Sequence, residues 1–246
     1  MTQFKATVGG IAVAVLAAGA LAETPSKAVS NAVGAQTRSA AHKARDDMQK
    51  PTDILAFAGV KPGHVVADLG AGGGYYAAIL SRVVGAEGTV YAANPSRLVE
   101  RFATIDEGFK AYLRRETPDN VVYTVAKFDE LTFEAPLDAA FMVLMYHDAV
   151  WSGVDRAQMN KRIYDALKPG GVYLVIDHAA QSGSGARDVQ TLQRIEGETV
   201  RTEIEKAGFT FVGESNALAN PNDPRTENVF GSLRGRTDRF VYLFQK

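Results

Sequence analysis

The sequence predicts one α/β domain built on a doubly wound, seven-stranded, mostly parallel sheet. Three observations lead there. From residue 65 onward, short runs rich in Val, Ile, Ala and Phe alternate with longer segments of helical period, the pattern of strands joined by helical crossovers. The run Val65-Val66-Ala67-Asp68-Leu69-Gly70-Ala71-Gly72-Gly73-Gly74 reads as a strand buried on both faces that turns through glycines into a helix. The last two strands, expected at 209–213 and 239–244, have only a loop between them. A loop makes no right-handed helical crossover, so the last strand is expected to run antiparallel to its neighbour.

The chain opens with Lys5, an uncharged run of Ala, Val, Gly, Ile and Leu, and Ala20-Leu21-Ala22. Residues 1–22 therefore have the pattern of a secretory signal peptide, which predicts a periplasmic or otherwise exported protein. The protein is expected to be anchored in the inner membrane if the segment stays uncleaved, and to touch the membrane through it alone. Residues 23–41 are rich in Ser, Ala, Thr and Gly and read as a flexible lead-in. The domain is placed at 42–246.

A helical pattern over 42–58 is interrupted near Pro51, which suits the first turn of a second helix, with Gly59 at its end. Strand one is expected at 65–69, a helix at 75–84, strand two at 89–93 and a helix at 96–115. Strand three follows at 121–126, then a continuous apolar strand four at 138–145 and a helix at 155–167. Lys168-Pro169-Gly170-Gly171 stops that helix. Strand five is expected at 172–176 and a long helix at 189–207. Gln181-Ser182-Gly183-Ser184-Gly185 reads as a flexible linker, with a lid as the alternative, and Asn220-Pro221-Asn222-Asp223-Pro224 as a surface turn.

Composition narrows the function. A net charge of -1 provides no basic field for nucleic acid. The absence of cysteine excludes disulfides, thiolate metal sites and a cysteine nucleophile. A strand, a glycine turn and a helix N-terminus form a site for an adenosine-containing cofactor. The dinucleotide fingerprint G-x-G-x-x-G requires a third glycine at position 75, where this chain has Tyr75; a nicotinamide-dependent oxidoreductase is disfavoured for that reason.

What stands instead is Asp68-x-Gly70-x-Gly72-x-Gly74. This resembles the first motif of the class I S-adenosylmethionine-dependent methyltransferases, a Rossmann-like family. The likeness covers roughly 51–246, including the reversed last strand and the turn Leu167-Lys168-Pro169-Gly170-Gly171. Gly74-Tyr75-Tyr76, Tyr146-His147-Asp148 and Arg236-Thr237-Asp238-Arg239-Phe240 further resemble a subfamily of bacterial predicted methyltransferases that carry signal peptides. The resemblance implies S-adenosylmethionine as cofactor. Asp68, Gly70, Gly72 and Gly74 would hold its amino-acid end. Where the family places an acid on the ribose, at the end of strand two, this chain has Asn94, which can accept one hydrogen bond and donate another but lacks the charge. After strand three, Asp129 is the candidate beside the adenine, with an apolar contact through Phe128 as the alternative.

Ligands of a doubly wound sheet sit beyond the carboxyl ends of its strands. Tyr146-His147-Asp148 follows strand four there and Asp177-His178 follows strand five. Methyl transfer from a sulfonium is an in-line displacement, so the protein mainly aligns donor and acceptor and excludes water. His147 is the first candidate for a base, oriented by Asp148 or Asp177. Tyr146 is a candidate for positioning the acceptor, and His178 is a further catalytic candidate. These residues and Asp129 also offer metal ligands, but without compact spacing, so no metal is expected. The expected function is methyl transfer to a small molecule or to a surface group of another molecule. The alternative, motivated by Asn94 and by export, is a catalytically inactive methyltransferase-like module that binds or senses in the periplasm.

Overall fold

The computed structural model describes residues 26–116 and 119–246; the expected signal segment lies outside them. Four helices come first: α1 (Lys27–Gly34), α2 (Ala40–Lys43), α3 (Asp46–Gln49) and α4 (Pro51–Phe57). The chain then alternates through β1 (Val65–Leu69), α5 (Tyr75–Val84), β2 (Thr89–Pro95), α6 (Ser96–Arg101), α7 (Ala103–Glu116) and β3 (Val121–Ala126). It continues with β4 (Leu137–Val143), α8 (Tyr146–Trp151), α9 (Arg156–Ala166), β5 (Leu167–His178), α10 (Gly197–Lys206), β6 (Thr210–Glu214) and β7 (Arg239–Gln245). None of the described helices is long and apolar enough to cross a membrane.

The strands form one sheet in the order β3-β2-β1-β4-β5-β7-β6. β1 through β5 pair in parallel, and β7 runs antiparallel to both β5 and β6, as the loop connection requires. Side chains alternate across the strands. Val66, Phe141, Leu174 and Ile176 face a core shared with α1, α4 and α5. Ala67, Leu69, Met142, Tyr173 and Val175 face a second core filled from α8, α9 and α10. Because the order reverses between β1 and β4, the carboxyl ends of β1, β2 and β4 open a crevice.

Four departures from the sequence reading bear on that crevice. The expected flexible lead-in is ordered from Ser26, whose Oγ accepts from Val29 N at 3.2 Å and caps α1; Val29 and Ala32 are buried in the α5 core. β4 stops at Val143 because Leu144 takes a left-handed φ of 57°. Leu144 N donates to Ile176 O at 2.7 Å, and the chain turns into α8, so Tyr146-His147-Asp148 opens a helix rather than ending a strand. The helix expected over 189–207 is confined to Gly197–Lys206, since Gln193 at φ 58° interrupts it. Asp223, expected in a surface turn, is 5% exposed. It receives Arg194 Nη1 at 2.9 Å and Nη2 at 3.2 Å, and it accepts from the backbone N of Asp238 and Arg225. The loop between β6 and β7 is thereby tied into the core.

Candidate active site

The glycine turn between β1 and α5 is shaped by two different demands. Gly70 has φ 87°, and a Cβ there would lie 2.1 Å from Met145 Cγ. Gly74 has φ 88°, and a Cβ would lie 2.5 Å from Tyr112 Cδ1. Both positions are set by the protein's own packing. Gly72, at φ 55°, has nothing within 4 Å of a Cβ. The space over Gly72 is therefore open, as a turn that receives a ligand requires.

Asp68 ends β1 on the α5 face, 1% exposed. Its carboxylate accepts from the backbone of Ala77 in the first turn of α5, yet burial pushes its pKa up to about 7. Its Oδ2 has no partner among the described residues. An unpaired buried carboxylate oxygen beside an open glycine turn is a site for a cationic group.

Asn94 ends β2 fully buried and faces the turn. Its Oδ1 accepts from Gly72 N at 2.7 Å, and its Nδ2 donates to Gly72 O at 3.0 Å and to Tyr123 Oη at 3.1 Å. Tyr123 Oη donates to Asp106 Oδ1 at 3.0 Å. Both amide hydrogens are thus engaged on protein groups, and only the second lone pair of Oδ1 is left for a ribose. In this structure the side chain acts as a clamp on the turn.

A cavity of about 430 Å³ opens beyond β2, β3 and β4, with Met145, which packs on Gly70, between it and the turn; its size is within the range of small-molecule sites. Pro95 at the end of β2 and Ser96 after it, Phe128 and Asp129 after β3, and Met145, Asp148 and Ala149 after β4 line it. Asp129 Oδ2 accepts from Asp155 N at 3.2 Å, while its Oδ1 is buried without a partner among the described residues. Arg97 and Arg101 stand over Trp151, at 5.2 and 4.9 Å from the ring centre. Asp148 presents a carboxylate whose pKa burial raises, against the pull of His147 and Arg101.

The catalytic candidates lie mostly behind this wall. Tyr146 is fully buried. Its hydroxyl donates to Glu203 Oε2 at 2.8 Å and accepts from Asn160 Nδ2 at 2.9 Å. The expectation that it positions an acceptor is corrected by that packing, because helix α8 turns its ring into the second core. His147 is 4% exposed. Its Nδ1 donates to Asp177 Oδ1 at 2.6 Å and its backbone N to Asp177 Oδ2 at 2.9 Å. Burial alone would depress its pKa; Asp177, with Asp148 at 3.8 Å from Nε2, holds it up at about 9. The paired Asp177 favours the protonated imidazole, which opposes a role for His147 as a base. His178 is pushed down to about 3 by burial and by the neighbouring cations His147, Arg239 and Arg194; its Nδ1 lies 2.7 Å from Thr237 Oγ1. Among the described residues no three His, Asp or Glu side chains converge as a metal set.

Several contributors had no signal in the sequence. His42 of α2 hydrogen-bonds the Gly73 backbone and sits edge-on to Tyr75 at 5.8 Å. Asp46 of α3 accepts from Tyr75 Oη at 2.7 Å and from both terminal nitrogens of Arg38. The segment 38–50 thus lies as a strap over the glycine turn. The linker 181–185 is pinned rather than free, with Gly183 N and Gly185 N donating to Glu196 at 2.6 and 2.8 Å.

Comparison with known proteins agrees with this geometry. The family model described as protein-L-isoaspartate(D-aspartate) O-methyltransferase matches residues 33–216. No curated protein matches the chain in sequence. Among solved structures, an S-adenosylmethionine-dependent methyltransferase from Aquifex aeolicus aligns at TM-score 0.59 and 18% identity, over 82% of this chain and 92% of that one. A putative sarcosine dimethylglycine methyltransferase from Galdieria sulphuraria aligns at TM-score 0.59 and 16% identity, over 93% of each chain. The [4+2]-cyclase SpnF shares the fold at TM-score 0.55 and 16% identity, over 84% of this chain and 81% of that one. The cofactor is S-adenosylmethionine. The site fits it: open space over Gly72, an unpaired Asp68 oxygen for an ammonium, and a cavity of suitable size beyond β2 and β3.

Proposed function

This chain belongs to the protein-L-isoaspartate(D-aspartate) O-methyltransferase family, and on that premise we propose that it methylates a carboxylate presented by an exported peptide or protein. S-adenosylmethionine supplies an activated sulfonium methyl when bound. The chain's own residues align the acceptor, hold charges and exclude water. The observation that carries the reading is the open Gly72 turn with the unpaired Asp68 oxygen beside it.

The state of His147 favours a carboxylate. A hydroxyl or amine acceptor would have to lose a proton to a base, and His147, the imidazole that follows β4, keeps its proton up to about pH 9. A carboxylate arrives ionised and attacks through its own lone pair, so no proton moves. Incubation with labelled S-adenosylmethionine and an L-isoaspartyl peptide should give a base-labile methyl ester, at a rate flat from pH 7 to 9. A rate that climbs toward pH 9 would point to a base and to another acceptor class.

Asp68 gives a second expected result. With its pKa near 7, the free protein carries this carboxyl partly protonated at neutral pH. A cofactor ammonium beside it favours the carboxylate, so binding should release a proton. Affinity should fall about tenfold per pH unit below 7 and level off above it. Calorimetry with S-adenosylhomocysteine in buffers of different ionisation enthalpy reads this directly, and Asp68→Asn should remove the dependence. A pH-independent affinity in the parent protein would exclude this role.

The alternative, a binding module without transfer, draws on the engagement of Asn94 with Gly72. Tight binding of S-adenosylhomocysteine with no ester formed on any carboxylate peptide would favour it. Export remains part of the proposal: the periplasmic protein should begin at Glu23, as N-terminal sequencing would read.

A further inference from the structure

Arg236-Thr237-Asp238-Arg239-Phe240 has no part in the cofactor cavity. Most of the motif is accounted for by packing. Thr237 meets His178. Asp238 accepts from Asn220 N at 2.7 Å and pairs with Arg225 at 2.7 Å. Phe240 stacks on Tyr242 with ring centres 4.7 Å apart. Arg236 is exposed and reaches Ser232 O at 3.5 Å.

Arg239 is different. It is 6% exposed, and among the described residues no carboxylate lies within 4.0 Å of its guanidinium. Nη2 donates to Met48 O at 2.6 Å and Nη1 to Gln49 Oε1 at 3.3 Å, while Nε has no partner. Two neutral acceptors, with the more distant Asp238 carboxylate already paired to Arg225, do not balance a buried cation, whose desolvation is costly unless an anion offsets it. A guanidinium edge with a free N–H matches a carboxylate in shape and charge.

The surroundings say from which side an anion would come. Arg239 lines two cavities. The larger carries Glu196, Glu198 and Glu214 and repels anions. The smaller, of about 250 Å³, carries Lys50 and Arg236 against one acid, Asp47, which Lys50 already pairs at 2.6 Å. Arg239 pairs with His178 in the β5–β7 ladder, so it stands at the carboxyl edge of β5. Its charge is felt by Tyr76 in the first turn of α5 and by His178. It therefore lies between the helix that follows the glycine turn and the end of β5.

We infer that Arg239 binds a carboxylate of the methyl acceptor, entering past Lys50 and Arg236. The inference rests on the carboxylate reading of the acceptor given above. The test uses the full domain with S-adenosylhomocysteine bound and two short peptides, one with an L-isoaspartyl residue and one with the same residue as its carboxamide. In calorimetry the parent protein should prefer the carboxylate peptide at least about tenfold. Arg239→Gln should abolish the preference and Arg239→Lys should keep part of it; the readout is the ratio of the two peptides' affinities at saturating S-adenosylhomocysteine, which any loosening of the strap through Met48 and Gln49 lowers alike for both. In the parent protein, the Arg239 Nε–H resonance, assigned by its loss in Arg239→Lys, should shift with the carboxylate peptide and not with the carboxamide. This second measurement decides the matter even if Arg239→Gln does not fold. A parent protein that does not discriminate, a preference that survives Arg239→Gln, or a resonance that stays still overturns the inference. Selective binding through Arg239 without methyl transfer would sink the proposed function and leave this site standing.

Discussion

Gly72→Asp is expected to leave the protein folded and to remove cofactor binding. The two halves of that result come from one position. A Cβ at residue 72 meets nothing within 4 Å, and the φ of 55° is one that Asp tolerates better than most residues. The strain costs about 1 kcal/mol, a shift of a few degrees in melting temperature for a domain of this size. The new carboxylate stands over the turn, fills the ligand's space and repels the cofactor's own carboxylate. Affinity for S-adenosylhomocysteine should drop by at least about 100-fold, or roughly 2.7 kcal/mol. Gly70→Ala provides the contrast: its Cβ would fall 2.1 Å from Met145 Cγ, so it should lose stability as well as ligand. If Gly72→Asp binds within a few-fold of the parent protein, the ligand does not lie over this turn.

Asp177→Asn should destabilise the protein by about 3 kcal/mol at pH 7, because it removes one member of a buried charge pair. It should also change the shape of the stability–pH curve. In the folded chain His147 keeps its proton to about pH 9, against about 6.5 when unfolded. Its contribution is complete below pH 6.5 and is lost as pH rises through 9. Asp177 is held below the ordinary carboxylate range, after burial is offset by His147, so its contribution is present above that range and lost on acidification. His178 works in the opposite sense to His147. With its folded pKa near 3, it makes stability fall as pH drops below 6.5. The parent protein should therefore be most stable near neutrality and lose stability on both sides. In Asp177→Asn, burial leaves His147 neutral: the alkaline loss should disappear and the acid loss should steepen. Urea unfolding from pH 5 to 9 reads both, and an unchanged alkaline limb would show that His147 does not carry the proton assigned to it.

The parts that were legible in the sequence share a physical cause. A strand buried on both faces, a turn needing positive φ and a helix beginning at once leave little freedom, so Asp68 to Gly74 could be placed to the residue. The antiparallel β7 followed from a connection that had no helix in it. The illegible parts depend on contacts distant in sequence. Residues 38–50 form two four-residue helices held by Arg38, Asp46 and Tyr75, too short to show a hydrophobic period. The role of Tyr146 was misplaced because a single left-handed residue, Leu144, redirects an apolar run into a helix. Asp223 looked like a turn residue until Arg194, 29 positions earlier, was seen to bury it. Asn94 was legible as a departure at the end of β2, but its attachment to Gly72 and Tyr123 was not.

The attachment of Arg239 to Met48 and Gln49 also sets an order of assembly. These bonds join positions 191 and 190 residues apart, and β7 is the last of the seven strands to be synthesised. Helices, and the glycine turn with its neighbouring strands, can form while β7 is still missing. The strap's contacts to the turn, His42 with Gly73 and Asp46 with Tyr75, need no β7, but its end at Met48 and Gln49 is fastened only when β7 inserts between β5 and β6. A chain interrupted before Arg239 would hold the cofactor-binding residues and the strap, without the bonds that secure the strap's far end. The last strand to be made thus locks the end of one of the first segments made.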